Sequence, residues 1–306
     1  MGCRADVGID DLKCHPSDRD VVAAAAYCEV MSGTLIVCST PIGNLGDMSE
    51  RLIGVLRQAD IVYAEDTRRT AKLLAAVGSS VPVRSYFLGN ERQRAAELGE
   101  RLTKGDTVAL VSDAGTPVVS DPGLSAVRAA ERAGATITMV PGPSAVTAIL
   151  AVSGMSGDRF VFEGFLPRKG DERTQRLSDI AGEQRTVVFF TSGTRLHGDL
   201  QGLAELSDHT RQVVIGRELT KLHEQIWRGT LGEAVVEWNL EARGEITVAL
   251  AGASTEAGSM DDAVRDALRL IDGGMAMSEA VKTTARHHHL KRSDVYDAVL
   301  GGRKAP

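Results

Sequence analysis

The sequence predicts an α/β protein with two successive α/β domains and a small C-terminal group of helices. Short, continuous apolar runs alternate with segments of helical spacing through the first half of the chain. Such runs are typical of strands buried on both faces of a parallel sheet, with helices on either side. In the second half several runs alternate apolar and polar residues, as in Gln225–Arg228. That alternation predicts a mixed sheet with antiparallel strands.

The first α/β domain is predicted over residues 31–141. Its first strand, Thr34–Ser39, is an apolar run that stops before Pro41 and Gly43. Further strands are predicted at Ile61–Ala64, Val108–Ser112 and Thr136–Val140, and helices at Met48–Gln58, Thr70–Val77, Arg92–Lys104 and Leu124–Ala133. This order of strands and helices predicts the βαβ connections of a parallel sheet.

The second α/β domain is predicted over residues 142–253, because Pro141, Gly142 and Pro143 interrupt the pattern. Strands are predicted at Arg159–Glu163, Thr186–Phe190, Gln212–Arg217, Gln225–Gly229 and Glu245–Leu250, with helices at Ala145–Ser153, Asp171–Ile180 and Leu196–Leu206. Residues 254–306 are predicted to form a polar linker and a small helical domain, with helices at Asp262–Asp272, Ser278–His287 and Arg292–Val299.

Residues 1–30 show neither a strand pattern nor a clear helical period. They are either a functional N-terminal extension or the product of a mis-called start codon, with Met31 as the true first residue. The apolar run Val21–Cys28 is too short to span a membrane, so we expect no membrane partner. The four cysteines lack the paired spacing of a metal site, and three of them precede Met31. This usage is typical of reduced thiols in the cytoplasm and predicts no metal.

Composition and missing motifs count against several classes of protein. The 306 residues have a formal net charge of -6, so the surface is not basic throughout, and any binding of nucleic acid must use local basic patches. No G-x-G-x-x-G follows the first strand, and neither a P-loop motif nor H-E-x-x-H is present. The absences count against a dinucleotide fold, a P-loop nucleotidase and a zinc site of the H-E-x-x-H type.

Loops rich in glycine, proline and small residues follow the predicted strands. They are Ser39–Asp47, Ala64–Arg68, Val111–Gly123, Val140–Ala145 and Phe162–Pro167. Each loop alone is explained as an ordinary turn. Together they lie at the carboxyl ends of strands, where open α/β sheets bind ligands, and small residues let the backbone approach a ligand closely. The five loops therefore predict a ligand site.

The motifs in these loops resemble those of the class III, or tetrapyrrole methylase-like, methyltransferases. They are TPIGNLGD from Thr40, AEDTRRT from Ala64, VSDAGTPVVSDPG from Val111, VPGPSA from Val140, FEGFLPRKG from Phe162 and RELTKLHE from Arg217. Within that family they are similar to the bacterial branch that 2′-O-methylates a cytidine in the decoding centre of 16S ribosomal RNA. The resemblance implies S-adenosylmethionine in a cleft between two α/β domains of tetrapyrrole methylase type, and a homodimer. It also implies 16S rRNA as the substrate, within the 30S subunit, with no DNA partner.

The same resemblance implies which residues bind the cofactor. They are Pro41, Gly43, Asp113, Ala114, Gly115, Val118, Ser144, Ala145, Phe190, Thr191 and Ala249. The chain departs from the family pattern at two places. Tyr86–Glu91 lacks the histidine that relatives often have there, and Thr191 and Thr194 replace a glutamate and a histidine, although Arg195 remains.

The candidates for proton transfer or electrostatic help lie in the resembling motifs: Asp66, Glu163, Glu218 and Lys221. A 2′-hydroxyl is a poor nucleophile until its proton leaves, so a nearby carboxylate or lysine is useful. The candidates for RNA contact are Arg68, Arg168, Lys169, Arg217, Lys291 and Arg292. Arg68 and Arg217 suit bidentate phosphate contacts, while the other four belong to two basic clusters. The alternative for every one of them is a structural ion pair or a solvated helix face.

Two other functions stay open at this stage. One keeps the fold and cofactor but methylates a tetrapyrrole precursor. The other is a non-catalytic ribosome-binding protein that retains a degenerate cofactor cleft.

Overall fold

The computed structural model describes residues 32–239, 243–253, 259–288 and 290–302. The N-terminal extension at residues 1–30 and most of the predicted linker, residues 254–258, lie outside this part of the chain. Within it, two β-sheets with flanking helices are followed by three further helices, so the predicted fold class is confirmed. No helix among the described residues is long and apolar enough to cross a membrane.

The first sheet contains five parallel strands in the order β3-β2-β4-β1-β5. These strands are β1 (Thr34–Cys38), β2 (Ile61–Ala64), β3 (Val83–Ser85), β4 (Thr107–Val111) and β5 (Thr136–Val140). The helices are α1 (Glu50–Gln58), α2 (Thr67–Ala76), α3 (Glu91–Thr103) and α4 (Leu124–Arg132), and a short 3₁₀ turn lies at Leu45–Asp47. One core packs α1 and α2 on one face of the sheet, and another packs α3 and α4 on the other.

The second sheet is mixed, as its alternating sequence predicted. Its strands are β6 (Phe160–Phe165), β7 (Thr186–Ser192), β8 (Gln212–Arg217), β9 (Gln225–Thr230) and β10 (Glu245–Leu250), in the order β6-β7-β10-β8-β9. Only β6 and β7 pair in parallel; β10 runs antiparallel to β7 and β8, and β8 runs antiparallel to β9.

Helices cover both faces of the second sheet. Helix α5 (Ala145–Ser153) packs on one face, whereas α6 (Asp171–Gly182), α7 (Leu196–Ala204) and α8 (Leu231–Glu237) pack on the other. The cluster around α5 also contains Ile42, which belongs to the loop after β1. The two sheets are therefore joined by apolar packing as well as by the chain.

The C-terminal helices are α9 (Met260–Asp272), α10 (Met277–His287) and α11 (Arg292–Gly302). Their apolar sides form a small core of their own, which consists of the buried residues Ala263, Ala267, Val281, Ala285, Val295 and Val299. The predicted boundaries of these helices agree with the observed ones to within three residues.

Candidate active site

The loops after β1 and β4 form one rigid unit at the carboxyl edge of the first sheet. The N–H of Thr40 donates to the carbonyl of Gly115 at 2.8 Å, and the N–H of Gly115 donates back at 3.1 Å. The hydroxyls of Ser39 and Thr116 share a hydrogen bond of 2.9 Å. Four residues from two distant segments are thus held in register. Two of the five loops that the sequence placed at strand ends therefore meet at one edge.

Two glycines in this unit are required by the backbone and by close packing. Gly115 has a φ of +79°, a conformation that residues with a side chain adopt only with strain. A Cβ on Gly142 would lie 3.0 Å from the Cβ of Ser39, which is tighter than ordinary van der Waals contact. Both positions therefore favour glycine.

A cavity of about 270 Å³ opens beside these loops. Its walls come from the β1 loop, the β4 loop and one side of α2, and its lining residues are Thr40, Pro41, Gly43, Leu45, Arg69, Thr70, Lys72, Leu73, Ser112 and Asp113. Of the residues that the resemblance assigned to the cofactor, Pro41, Gly43 and Asp113 line this cavity. The volume is close to the lower end of the range for small-molecule sites, about 300 to 1,000 Å³.

Asp113 connects the cavity to the start of α2. Its Oδ1 accepts the N–H of Asp66 at 2.9 Å, and its Oδ2 lies 3.4 Å from the guanidinium of Arg69. The carboxylate is thereby oriented at the cavity wall by one backbone group and one cation. Asp113 therefore has a structural role in addition to any contact with a ligand.

We term the cleft the space between two walls. Residues 39–47 and 112–123, in loops of the first sheet, form one wall, and the loop after β8, residues 218–224, forms the other. The Lys221 side chain crosses this space, since a Cβ on Gly43 would lie 2.3 Å from Lys221 Cγ. Ile42 packs into the same cluster as Ala249, which is fully buried, and the partly buried Phe190. The ring of Phe190 lies 4.9 Å from that of Phe162, centroid to centroid. Apolar and aromatic groups therefore form the floor on this side.

The four predicted catalytic residues are all engaged in ion pairs. Asp66 is the N-cap of α2, and its hydrogen bonds with Arg68 lower the pKa of its carboxyl to about 2. Glu163 pairs with Arg176 on α6. Glu218 and Lys221 pair with each other at 2.8 Å.

These ion pairs affect how well each group could accept a proton. Burial alone would raise the pKa of Glu218, but its hydrogen bonds with Lys221 and the Glu245 backbone outweigh that effect and lower it. Burial would likewise lower the pKa of Lys221, yet its hydrogen bonds to Glu218 and Glu245 raise it. A carboxylate with a depressed pKa is a weak base, and a lysine with a raised pKa already carries its proton at neutral pH, so neither accepts a proton readily.

Asp121, in the SDPG segment of the β4 loop, is a carboxylate that the motif analysis did not select. Burial and, secondly, the negative charge of Glu65 raise the pKa of its carboxyl to about 6. Glu245 of the second sheet contributes to the same shift, which places Asp121 between the two sheets. Burial and, secondly, the negative charge of Asp113 also raise the pKa of the Glu65 carboxyl. Asp121 is thus a partly desolvated carboxylate in the wall of the cleft.

The backbone around Asp121 is unusual. Val118 has a φ of 76° and Ser120 a φ of 64°, values that non-glycine residues adopt only when their surroundings impose them. The same loop meets the second sheet, because a Cβ on Gly164 would lie 3.0 Å from the Ser120 Oγ. Strained backbone of this kind is common at functional sites. The sequence does not reveal it, because Asp121-Pro122-Gly123 reads as an ordinary turn.

Thr191, which the resemblance assigned to the cofactor, directs its side chain elsewhere. Alternate residues of a strand face opposite sides, so Thr191 faces α6 and α7 together with Phe189, while Phe190 faces α5. Its hydroxyl donates to Asp199 Oδ2 at 2.6 Å. Asp199 is almost fully buried and also accepts from Arg173 at 2.6 Å. Only the backbone of Thr191 is left for a ligand.

The predicted RNA-contact residues differ in how free they are. Arg68 is 87% exposed at its side chain but is bound to Asp66, and the Arg217 Nε donates to the carbonyl of Arg243 at 2.7 Å. The other four, Arg168, Lys169, Lys291 and Arg292, are exposed. No group of three histidine, cysteine, aspartate or glutamate residues suited to a metal ion occurs among the described residues.

Two α/β sheets with a cavity at the carboxyl edge of the parallel one are the arrangement of a ligand-binding α/β protein. Residues 34–235 match the family of Tetrapyrrole (Corrin/Porphyrin) Methylases. The chain belongs to this family and is a methyltransferase.

Relatives of known name are similar over nearly their whole length. One is the Ribosomal RNA small subunit methyltransferase I of Mycobacterium tuberculosis strain CDC 1551, which is 41% identical over 276 residues, 89% of this chain and 96% of the relative. The protein of the same name from Thermotoga maritima is 45% identical over 221 residues, 72% of this chain and 99% of the relative.

Solved structures share the fold at low identity. Cobalt precorrin-4 methyltransferase, a cobalamin biosynthetic enzyme, superposes with a TM-score of 0.56 at 19% identity, covering 72% of this chain and 95% of that one. Uroporphyrin-III C-methyl transferase from Thermus thermophilus, complexed with S-adenyl homocysteine, gives a TM-score of 0.53 at 18% identity, covering 71% of this chain and 96% of that one.

Proposed function

We propose that this chain transfers a methyl group from S-adenosylmethionine to the 2′-hydroxyl of a cytidine in the decoding centre of 16S ribosomal RNA. The observation that carries the proposal is the 41% identity, over 89% of the chain, to a protein named for methylation of small-subunit ribosomal RNA. The solved methyltransferases named for tetrapyrrole precursors share only 16% to 19% identity with this chain, a level that supports the fold and not the substrate. RNA is therefore the favoured substrate over a tetrapyrrole.

The residues of the cleft fit S-adenosylmethionine. The cavity beside the β1 and β4 loops is lined by hydroxyls, two leucines and the charged side chains of Arg69, Lys72 and Asp113, a mixture that suits a cofactor with both polar and apolar parts. Pro41, Gly43, Asp113, Ala114, Gly115 and Val118 would hold the cofactor from the first sheet, and Ser144, Ala145, Phe190, Ala249 and the Thr191 backbone from the second. S-adenosylmethionine is the methyl donor; when bound, it supplies a methyl group activated by a positively charged sulfur.

The protein's own contribution is alignment, exclusion of water and removal of one proton. Methyl transfer to oxygen is an in-line displacement, so holding the hydroxyl oxygen, methyl carbon and sulfur in line lowers the barrier. The O–C bond forms while the C–S bond breaks, and the hydroxyl proton must go to a base. Asp121 is the proposed acceptor: it lies in the β4 loop with the positive φ values, where that loop meets the second sheet, and burial raises the pKa of its carboxyl to about 6, above that of Asp66. Glu218 instead holds Lys221 in place within the loop after β8, and the Lys221 side chain reaches across the cleft to Gly43.

RNA contact is assigned to local basic groups on an otherwise acidic protein. Arg168 and Lys169 follow β6 at the cleft edge of the second sheet, and Lys291 and Arg292 precede and begin α11. Arg68 is exposed beside the cleft. Arg217 donates to the Arg243 carbonyl, so its proposed role is to position neighbouring residues. Phosphate contacts of this kind orient an RNA without reading its sequence. The assembled 30S subunit as substrate, a homodimer, and domain boundaries at 141 and 253 belong to the same proposal.

A transfer assay tests the proposal. The purified protein is incubated with S-adenosylmethionine labelled in the methyl group and with 30S subunits, 50S subunits or free 16S rRNA that lack the modification. We expect label only with small-subunit RNA, recovered as 2′-O-methylcytidine after digestion to nucleosides. Label in a base, or none at all, contradicts the proposal. If no label is transferred, isothermal titration with S-adenosylmethionine shows whether the cofactor still binds. A non-catalytic relative with a degenerate cleft would not bind it.

A further inference from the structure

A second and larger cavity lies at the opposite edge of the second sheet from the cleft. Its volume is about 620 Å³. It is lined by residues just before β6 and β7, by the first residues of β7 and β8, by Arg228 of β9, and by the segments that follow α5 and β10. Strands β6 and β8 are six residues long, so about 20 Å separates the two edges. This cavity is therefore distinct from the cofactor site.

The lining of this cavity is basic. Arg159, Arg185 and Arg228 contribute to it, together with the amides of Gln184 and Gln212, and none of its lining residues is an aspartate or glutamate. On a chain with a formal net charge of -6, a concave surface with three guanidinium groups, of which Glu183 beside the cavity neutralises one, is still locally positive. Such a surface attracts anions.

The three arginines are not equally engaged. Arg159 is exposed and forms neither a hydrogen bond nor an ion pair with any described residue. Arg228 donates from Nη2 to the carbonyl of Val152 at 2.6 Å, which holds its guanidinium at the wall and leaves its other nitrogens available. Arg185 binds Glu183 through Nε at 2.8 Å and Nη2 at 2.7 Å, so only Nη1 remains. The cavity thus has one free arginine, one anchored arginine and one that is largely neutralised.

Phosphate is the anion that this arrangement favours. A planar guanidinium donates two parallel hydrogen bonds to a phosphate, and arginine is less strongly hydrated than lysine, so the contact costs less desolvation. A cavity of about 620 Å³ is larger than a single phosphate needs and has room for the sugar and neighbouring atoms of a nucleotide. Glutamine amides can donate to and accept from sugar hydroxyls.

We propose that this cavity binds a phosphodiester segment of the RNA substrate, at a place remote from the methylated nucleotide. The proposal rests on the function proposed above, since it assigns a second contact of the same RNA. A structured RNA that reaches both edges of the second sheet would be oriented by two separate contacts. Binding at the remote cavity would then affect the affinity for RNA and not the chemistry in the cleft.

Substitutions of Arg159 test the proposal with little disturbance of the fold, because its exposed side chain has no hydrogen-bond or ion-pair partner among the described residues. Arg159→Gln, Arg159→Glu and the wild type are compared by fluorescence anisotropy with a labelled 16S rRNA fragment, over a series of salt concentrations. Arg132→Gln, at an exposed arginine on α4, is the matched control. Adenosine monophosphate is titrated separately as a small probe with a phosphate group.

We expect Arg159→Gln to weaken RNA binding by about threefold to tenfold and Arg159→Glu to weaken it further. The slope of log affinity against log salt should fall by about 0.7 to 0.9 for the lost phosphate contact. The KM for RNA should rise while kcat and the affinity for S-adenosylmethionine stay unchanged, and Arg132→Gln should behave like the wild type.

Three results overturn the proposal: unchanged RNA affinity in Arg159→Glu, an equal loss in Arg132→Gln, or Arg159-dependent binding of adenosine monophosphate without any effect on RNA. The last result would assign the cavity to a free nucleotide. Failure of the proposed function gives a different pattern, in which RNA still binds through Arg159 but no methyl group is transferred to it.

Discussion

The substitution Asp121→Asn separates the stability of the cleft from its chemistry. It removes a titratable charge while keeping the size of the side chain. Burial and Glu65 raise the pKa of Asp121 from 3.8 to about 6 in the folded protein, so the ionised form is disfavoured by folding. At pH 7.5 the wild-type protein must hold this charge in the cleft, and the variant does not. The variant should therefore be the more stable protein at that pH, although it loses activity.

The magnitude follows from the size of the pKa change. A rise from 3.8 to about 6 corresponds to an upper bound of about 3 kcal/mol, at about 1.4 kcal/mol for each pH unit. Solvent screens a half-buried group, so we expect about 1 to 2 kcal/mol. The sign depends on pH: with a raised folded pKa, the contribution to stability is fully present below 3.8 and is lost as the pH rises through about 6. The advantage of the variant should develop between pH 3.8 and about 6 and persist at pH 7.5, so most of it accrues between pH 4.5 and 7.5.

Urea unfolding followed by circular dichroism at pH 4.5 and pH 7.5 measures this difference. Glu131→Gln, at an exposed residue on α4, is the control and should show no gain at the higher pH. In parallel, Asp121→Asn should lower the rate of methyl transfer by about a hundredfold, the usual scale for loss of a general base, with little change in cofactor affinity. A variant that gains no stability from pH 4.5 to 7.5 refutes the desolvation of Asp121. Full activity refutes its role as a proton acceptor.

Two further substitutions test the cleft and the network beneath it. Gly115→Ala and Gly134→Ala both place a side chain at a positive φ, so each variant should lose about 1 to 2 kcal/mol of stability. Only Gly115 lies in the cleft, so only Gly115→Ala should weaken S-adenosylmethionine binding, by tenfold or more in calorimetry. Equal affinities in the two variants would remove the β4 loop from the cofactor site. Asp199→Ala leaves Arg173 without its buried carboxylate and should cost about 3 to 5 kcal/mol in thermal or urea unfolding. Asp179→Ala, at an exposed site on α6, should cost little, and a similarly small loss for Asp199 would contradict the account of that network.

Most strands and helices could be predicted because buried strands and amphipathic helices have distinct periods. The strands at Ile61–Ala64 and Gln212–Arg217 begin and end where the sequence predicted. Strand β3, Val83–Ser85, was missed since it is a three-residue edge strand without an apolar run. Helix α8 was missed as well, although Thr230 and Glu233 form the capping box that marks its start. Short elements are stabilised mainly by tertiary packing, which a local pattern does not record.

The site was less predictable than the fold. Strand-end loops can be recognised from Gly and Pro, and those after β1 and β4 do meet through Thr40 and Gly115. Motif membership alone could not show that Glu163 has an ion-pair partner thirteen residues further along the chain. Nor could it show that Asp121 is the carboxylate whose pKa is raised, because desolvation depends on what the fold places around a group.

The most direct test of the central claim is a map of ribose methylation across 16S rRNA from cells with and without the gene. The proposed function predicts that one cytidine in the decoding centre loses its 2′-O-methyl group in the deletion strain. The wild-type gene should restore the mark, and the Asp121→Asn gene should not. Identical maps from the two strains, or a change confined to a methylated base, would contradict the claim.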